Sequence, residues 1–272
     1  MDGDRLRADA ALVRRGLAAS REKARALIEA GLVTLNGAAL SKPAQKVADA
    51  DALAVTGQAI PYVSRGGLKL EKALRAFGVD PAGRVCLDIG ASTGGFTDVL
   101  LQNGAAKVYA VDVGAGQLDA RLAGDPRVVS MEHTNARALR RDMFDPPPSL
   151  AVMDVSFISI RLILPAAFQA LGGGRMISLV KPQFEAGRAG VGKRGIVSDP
   201  AVHARVLREI VDFAPTLGWR VRALDYSPIA GGDGNIEFLA DLVPACEAEK
   251  SADPEGIDAL VRRAHEAMKG IK

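Results

Sequence analysis

The sequence predicts an α/β protein: an open, doubly wound sheet preceded by a small α+β module. Three observations carry that expectation. From residue 84 onward, short β-branched runs alternate with helical periodicities, the order that a parallel sheet with crossover helices requires. A glycine-rich turn, "GASTGG" at 90–95, directly follows the first of those runs, where such sheets place their ligand crevice. Ahead of them, residues 5–55 pack two short helices and a hairpin into a stretch with its own apolar pattern. The 272 residues leave room for both parts, and 48% hydrophobic with 25% charged residues is ordinary for a folded chain.

In the first part, Leu6, Ala10, Val13 and Leu17 recur at helical spacing and Gly16 ends that helix. Ser20 caps a second helix with Ala24, Leu27 and Ile28 as its inner stripe and Gly31 as its stop. Asn36-Gly37 between two short apolar runs is a type I′ hairpin signal, and "ALAVTG" adds a strand. Seven of the nine basic residues of 1–55 fall within residues 5–25. Arg21 and Arg25 are neighbours at i and i+4, so this helix offers either a solvated face or a phosphate-binding one.

Residues 56–64 read as a linker, with Gly57 and Pro61 as breakers. "RGGLKLEKALRAFG" is an amphipathic helix turning Leu68, Leu70 and Ala73 to a core. Strands follow in "RVCLDIG", "KVYAVDVG", "VVSM", "LAVMD" and "RMISLV", with helices after the glycine turn and near 134–142 and 157–171. Asp199-Pro200 starts a long helix that buries Val206, Leu207, Ile210 and Val211, and "WRVRALDYS" and "NIEFLADLV" close the sheet. The expected division is 1–55, a linker at 56–64, a sheet domain at 65–244 and a charged tail with one helix at 245–272.

Composition excludes several classes. Aromatics at 4% are too few for base stacking to be the main binding strategy, and a formal charge of +3 permits a nucleic-acid partner without requiring one. Cys86 and Cys246 have neither metal nor disulfide-framework spacing, so no metal site is expected. The charged start is no secretory signal, and no run reaches the roughly 18 apolar residues of a membrane span, so a cytoplasmic location is expected.

Two motif readings fail on their own chemistry. Gly187 to Lys193 fits a phosphate loop until Arg194, which stands where a hydroxyl should bind Mg²⁺, and no helix follows to receive a phosphate. Ser92 fits the hydrolase elbow G-x-S-x-G, but of the histidines that follow it His133 precedes the strong late acids, His203 lies in the body of a helix and His265 in the charged tail. A basic, glycine-rich flap over a substrate describes 187–195 better, with Arg188, Lys193 and Arg194 on phosphates.

Asp88 before the turn, Gly90, Ser92, Gly94, Gly95 and Phe96 within and after it, and Asp112 ending the next strand together resemble the S-adenosylmethionine site of Rossmann-like methyltransferases. That resemblance implies Asp88 near the cationic end of the cofactor and Asp112 on its ribose hydroxyls. Glu132 and Asn135 are candidates for adenine contacts, or capping side chains of the next helix. A ribose hydroxyl is a poor acid, so methyl transfer to it needs a strong base that is neutral when it acts. A lysine tuned by burial and a neighbouring cation suits that task. Lys69, Asp154, Lys181 and Glu237, in "SRGGLKL", "DVSFIS", "LVKPQFE" and "GNIEF", resemble the K-D-K-E tetrad of FtsJ-like ribose 2′-O-methyltransferases.

The run "RLRADAALVRRGLAASREKARALIEAGLVTLNG" resembles an S4-like RNA-binding module, with Arg7 where that pattern often has Asp. Taken together, residues 5–243 resemble the TlyA family of rRNA ribose methyltransferases. The resemblance implies S-adenosylmethionine as cofactor, ribosomal RNA as substrate, Lys181 as base, Asp154 and Glu237 for orientation and charge balance, and Lys69 for positioning. In that family an aromatic beside a valine marks the linker, a place that Tyr62-Val63 fills. Arg5, Arg7, Arg21, Arg25, Arg65, Arg137 and Lys193 are the expected RNA contacts. Two other classes compete, a membrane-active haemolysin, a label the family has carried, and a noncatalytic RNA-binding assembly factor.

Overall fold

The computed structural model describes residues 5–29, 31–56, 60–232, 234–245 and 254–269. Residues 57–59 of the expected linker and 246–253 of the expected tail, Cys246 among them, lie outside the described residues. The chain divides into two compact units, Met1–Pro61 and Tyr62–Lys272.

The first unit runs β1 (Leu6–Arg7), α1 (Ala8–Arg14), α2 (Arg21–Glu29), β2 (Val33–Leu35), β3 (Ala38–Ala39), β4 (Lys46–Val47) and β5 (Leu53–Val55). Ser20 caps α2, its hydroxyl accepting from the Lys23 amide at 3.2 Å. Asn36 and Gly37 both have positive φ, 52° and 82°, the type I′ geometry that pairs Leu35 with Ala38. Ala8, Leu12, Ala24, Ile28, Val33 and Leu40 fill a separate small core. Asp9 is buried without exposure and accepts from both Arg7 and Arg21, and the Arg7 guanidinium holds its carboxyl down at about 2.

The second unit contains α3 (Gly66–Phe77), β6 (Val85–Ile89), α4 (Gly95–Gln102), β7 (Lys107–Val111), α5 (Ala120–Ala123), β8 (Val128–Met131) and β9 (Leu150–Met153). It continues through α6 (Leu164–Leu171), β10 (Arg175–Val180), α7 (Pro182–Glu185), α8 (Pro200–Phe213), β11 (Trp219–Tyr226), β12 (Phe238–Pro244) and α9 (Pro254–Met268). Its sheet has the order β11-β12-β10-β9-β6-β7-β8. Strands β6 to β10 pair in parallel, while β11 and β12 are antiparallel. The winding reverses between β6 and β9, which opens a crevice at their carboxyl ends. One face of the sheet is covered by a core that includes Leu164, Leu207, Trp219 and Leu260, the other by one that includes Leu70, Phe96 and Leu100.

Three local expectations are corrected. Residues 134–142 form two short 3₁₀ turns, Ala136–Ala138 and Arg141–Met143, because Leu139 between them is extended and sends its side chain into the core. Strand β12 starts at Phe238, so Glu237 precedes the strand rather than lying within it. In α3, Leu70 and Ala73 are buried as expected, but Leu68 is only half-buried. The charged tail does carry a helix, and its apolar stripe Ile257, Leu260, Val261 and Ala264 belongs to the main core.

Candidate active site

Ile89 and Met153 are register partners in the parallel pair β6–β9, so Gly90 and Asp154 leave the sheet side by side. Gly90 has φ 84°, and a Cβ there would stand 2.6 Å from the Asp154 carbonyl oxygen, so the turn admits only glycine. The Gly90 and Ala91 amides donate to the Val111 carbonyl, which ties the turn to the end of β7. There Asp112 accepts from the Ser92 amide at 2.8 Å and the Gly114 amide at 2.7 Å. Each carboxylate oxygen keeps a lone pair for a further donor.

Lys181 follows β10, Glu237 precedes β12, and Lys69 comes from α3, so four separate elements converge on this crevice. Lys69 Nζ lies 2.6 Å from Glu237 Oε2 and 3.7 Å from Asp154 Oδ2, and Lys181 Nζ lies 2.6 Å from Asp154 Oδ1. The charges alternate as Glu237, Lys69, Asp154, Lys181. Lys69, Lys181 and Glu237 are buried and Asp154 half-buried, a placement that charges tolerate only when paired this closely. Ser156 completes the group, accepting from Lys181 Nζ at 2.8 Å.

Two adjoining cavities meet at this cluster. A cavity of about 260 Å³ is lined by Lys69, Gly90, Ser92, Gly95, Phe96, Asp154, Ser156 and Lys181, with Ser64. A larger one, about 590 Å³, is lined by Val111, Asp112, Gln117, Asn135, Arg137, Val155, Phe157, Ile158 and Ile163. Gly90, Ser92, Asp154 and Ser156 belong to both linings.

Not every expected residue reaches these cavities. Asp88 is fully buried beneath the turn and lines neither; its Oδ2 accepts from the Thr97 hydroxyl at 2.7 Å. Burial, with a smaller push from the Asp154 charge, raises its carboxyl to about 7. Glu132 is exposed and accepts from the Gly116 amide at 2.7 Å, bracing a loop outside both cavities. Gly94, φ 94°, caps α4 and packs on Leu118 and Leu122 instead of lining either cavity. Asn135 does line the larger cavity, and its side chain also caps the Arg137 amide.

The basic candidates divide similarly. Arg5, Arg25, Arg65 and Lys193 are exposed, while Arg7 and Arg21 are engaged with Asp9. Arg137 lines the larger cavity, and so belongs to its wall. Among the described residues, no group of three side chains has metal-holding geometry, and no helix is long and apolar enough to cross a membrane.

Sequence reasoning missed Ser64, Gln117, Ser156 and Phe157. Phe157 is 91% exposed with φ 64°, a left-handed backbone that no local motif announces for an aromatic residue. Ser156 and Phe157 carried a positional signal, since they follow Asp154 at a strand's carboxyl end.

The profile of the S4 domain matches residues 6–53 and that of the FtsJ-like methyltransferase matches residues 62–242. The 16S/23S rRNA (cytidine-2′-O)-methyltransferase TlyA of Mycobacterium tuberculosis is 46% identical over 262 residues, covering 96% of this chain and 97% of its own. The chain belongs to the TlyA family. A candidate rRNA methyltransferase of Bacillus subtilis, YqxC, is 50% identical over 276 residues, all of this chain and 98% of its own. A Streptococcus thermophilus structure described as a hemolysin candidate matches with a TM-score of 0.78 and 48% identity, covering 97% of both chains. A TlyA-family chain with an FtsJ-like domain is a methyltransferase, and the crevice between β6 and β9 holds the two cavities that meet at the charged cluster.

Proposed function

We propose that this protein transfers a methyl group from S-adenosylmethionine to a ribose 2′-hydroxyl of ribosomal RNA, with Lys181 as general base. The observation that carries this reading is the Glu237–Lys69–Asp154–Lys181 chain of contacts beside a cavity large enough for a nucleoside-sized cofactor. The Mycobacterium tuberculosis relative is named for that reaction on ribosomal RNA, and the S4 domain supplies an RNA-binding module.

The residues present fit the cofactor. Asp112 offers unshared lone pairs to ribose hydroxyls, Val111, Ile158 and Ile163 give an apolar surface for adenine, and Asn135 offers an amide edge to it. When bound, the cofactor supplies an electrophilic methyl group on a sulfonium centre. The smaller cavity, with Lys69 and Lys181 in its wall, then receives the substrate ribose. Lys181 Nζ takes the hydroxyl proton as the oxygen becomes a nucleophile. Asp154 holds the amine and balances the charge it gains, and Lys69 fixes the Asp154 and Glu237 carboxylates in place. Phe157 offers an exposed ring at the cavity mouth on which a target base can stack.

Changing Lys181 to Ala is the test. Methyl transfer to ribosomal subunits should fall by roughly 10²-fold or more, the usual contribution of a general base. Cofactor affinity by calorimetry should stay close to that of the parent. A folded Lys181→Ala protein with full activity would overturn the mechanism.

A further inference from the structure

Ser156 is in direct contact with the proposed base, yet the mechanism above gives it no task. A lysine ammonium has three N–H donors, while the neutral amine has two and a lone pair. Lys181 Nζ donates a hydrogen bond to Ser156 Oγ at 2.8 Å, while Asp154 Oδ1, 2.6 Å away, is its ion-pair partner and has no hydrogen-bond partner among the described residues. Once the amine is neutral, the ion pairing lapses and the Ser156 acceptor still engages one hydrogen. The lone pair is left with one of the two remaining tetrahedral directions. Without Ser156, no hydrogen would be fixed and the lone pair could swing freely about the Cε–Nζ bond.

The serine sits on a loop that is itself held. The 154–160 segment and the 181–185 segment are joined by three successive rungs. Lys181 meets Asp154 and Ser156, Phe184 meets Phe157 at 5.3 Å between ring centroids, and Glu185 meets Ser159 and Ile160. In the last rung the buried Glu185 carboxylate accepts from the Ser159 hydroxyl at 2.6 Å and the Ile160 amide at 2.7 Å. Ser156 also lines both cavities, so its hydroxyl stands at the border between the cofactor side and the ribose side.

We propose that Ser156 is a positioning residue which aims the Lys181 lone pair at the substrate hydroxyl. The proposal rests on Lys181 being the base. No atom of Ser156 is consumed: its oxygen accepts from the amine throughout, and the substrate proton ends on Lys181 Nζ.

The experiment compares the parent with Ser156→Ala, Ser156→Thr and Lys181→Ala in the full chain, by steady-state methyl transfer to ribosomal subunits and by calorimetry with S-adenosylmethionine. Loss of aim should lower kcat on the order of tenfold in Ser156→Ala, with KM for the subunits and cofactor affinity within about twofold of the parent. Ser156→Thr keeps a hydroxyl and should recover most of that loss. An unchanged kcat in Ser156→Ala, a loss confined to KM, or a threonine variant as slow as the alanine one overturns the proposal. Activity surviving in Lys181→Ala would instead overturn the reading on which it rests, so the two failures are told apart.

Discussion

Asp88 is an acid that the fold keeps in a place unsuited to charge. It is wholly buried under the glycine turn, its Oδ2 bonded to Thr97 and its Oδ1 without a hydrogen-bond partner among the described residues. Burial is the main cause of its rise to about 7. Because this folded value lies above the unfolded one of 3.8, Asp88 contributes most below the unfolded value and loses that contribution as pH rises towards 7. An asparagine side chain has the shape of the neutral acid and no proton to lose. Asp88→Asn should therefore gain stability relative to the parent as pH rises from about 4 to 7. The gain should reach up to a few kcal/mol, each tenfold change in proton affinity being worth about 1.4 kcal/mol. Urea unfolding at several pH values measures it, and a pH-independent difference would refute it. An acid before the turn was legible in the sequence, but its depth was not. Which carboxylate faces the cavity and which the core depends on Thr97 from the following helix and on the packing of Asp154 nearby.

At the scale of elements, the alternating pattern gave the parallel strands, and the motifs around Lys69, Asp154, Lys181 and Glu237 gave the convergent cluster. Topology accounts for three of the four: Asp154 and Lys181 leave the carboxyl ends of the neighbouring parallel strands β9 and β10, and antiparallel β12 begins beside Val180, which brings Glu237 to the same edge, while Lys69 comes from α3. What local pattern could not give was long-range packing. Leu139 pulls the 134–142 segment out of helical geometry, and α9 docks by its apolar stripe on the main core. The α8–α9 contact brings His203 Nδ1 within 2.9 Å of His265 Nε2, with residues 62 apart in the chain. His203 is wholly buried against Phe238, and burial together with the neighbouring His265 pushes it down to about 4, while Asp199 opposes the shift. Burial and Lys269 lower His265 as well. A histidine depressed from 6.5 contributes stability that is present above that value and lost as pH falls towards 4. Hydrogen exchange in Ile257–Ala264 should thus accelerate as pH falls from about 6.5 to 4, after correction for intrinsic rates. His203→Gln should remove most of that change; an unaltered profile in the variant would assign the loosening to other groups.

For the whole molecule, the proposed function asks the S4 unit to hold RNA, and the charges of that first unit are divided between its own packing and its surface. The S4 module was legible through the resemblance of the run from Arg5 to Gly37 to that family's pattern. The division of its basic residues was not, because it depends on Asp9. That buried carboxylate accepts from Arg7 and Arg21 and so commits both in part to holding β1, α1 and α2 together. Arg25, one turn along α2 from Arg21, is exposed, and so is Arg5. Exposed arginines are available to phosphates, whose contacts release counterions and make affinity depend on salt. Arg25→Glu should therefore raise the KM for ribosomal subunits and flatten its salt dependence by about one contact's worth, leaving cofactor affinity and melting temperature unchanged. Arg21→Glu should lower the melting temperature of the first unit as well, since it places a second carboxylate against Asp9. Equal KM and melting temperature in parent and Arg25→Glu would show that the α2 surface is solvated rather than docked on RNA. A fall in melting temperature alone would give Arg25 a role in the unit's own packing.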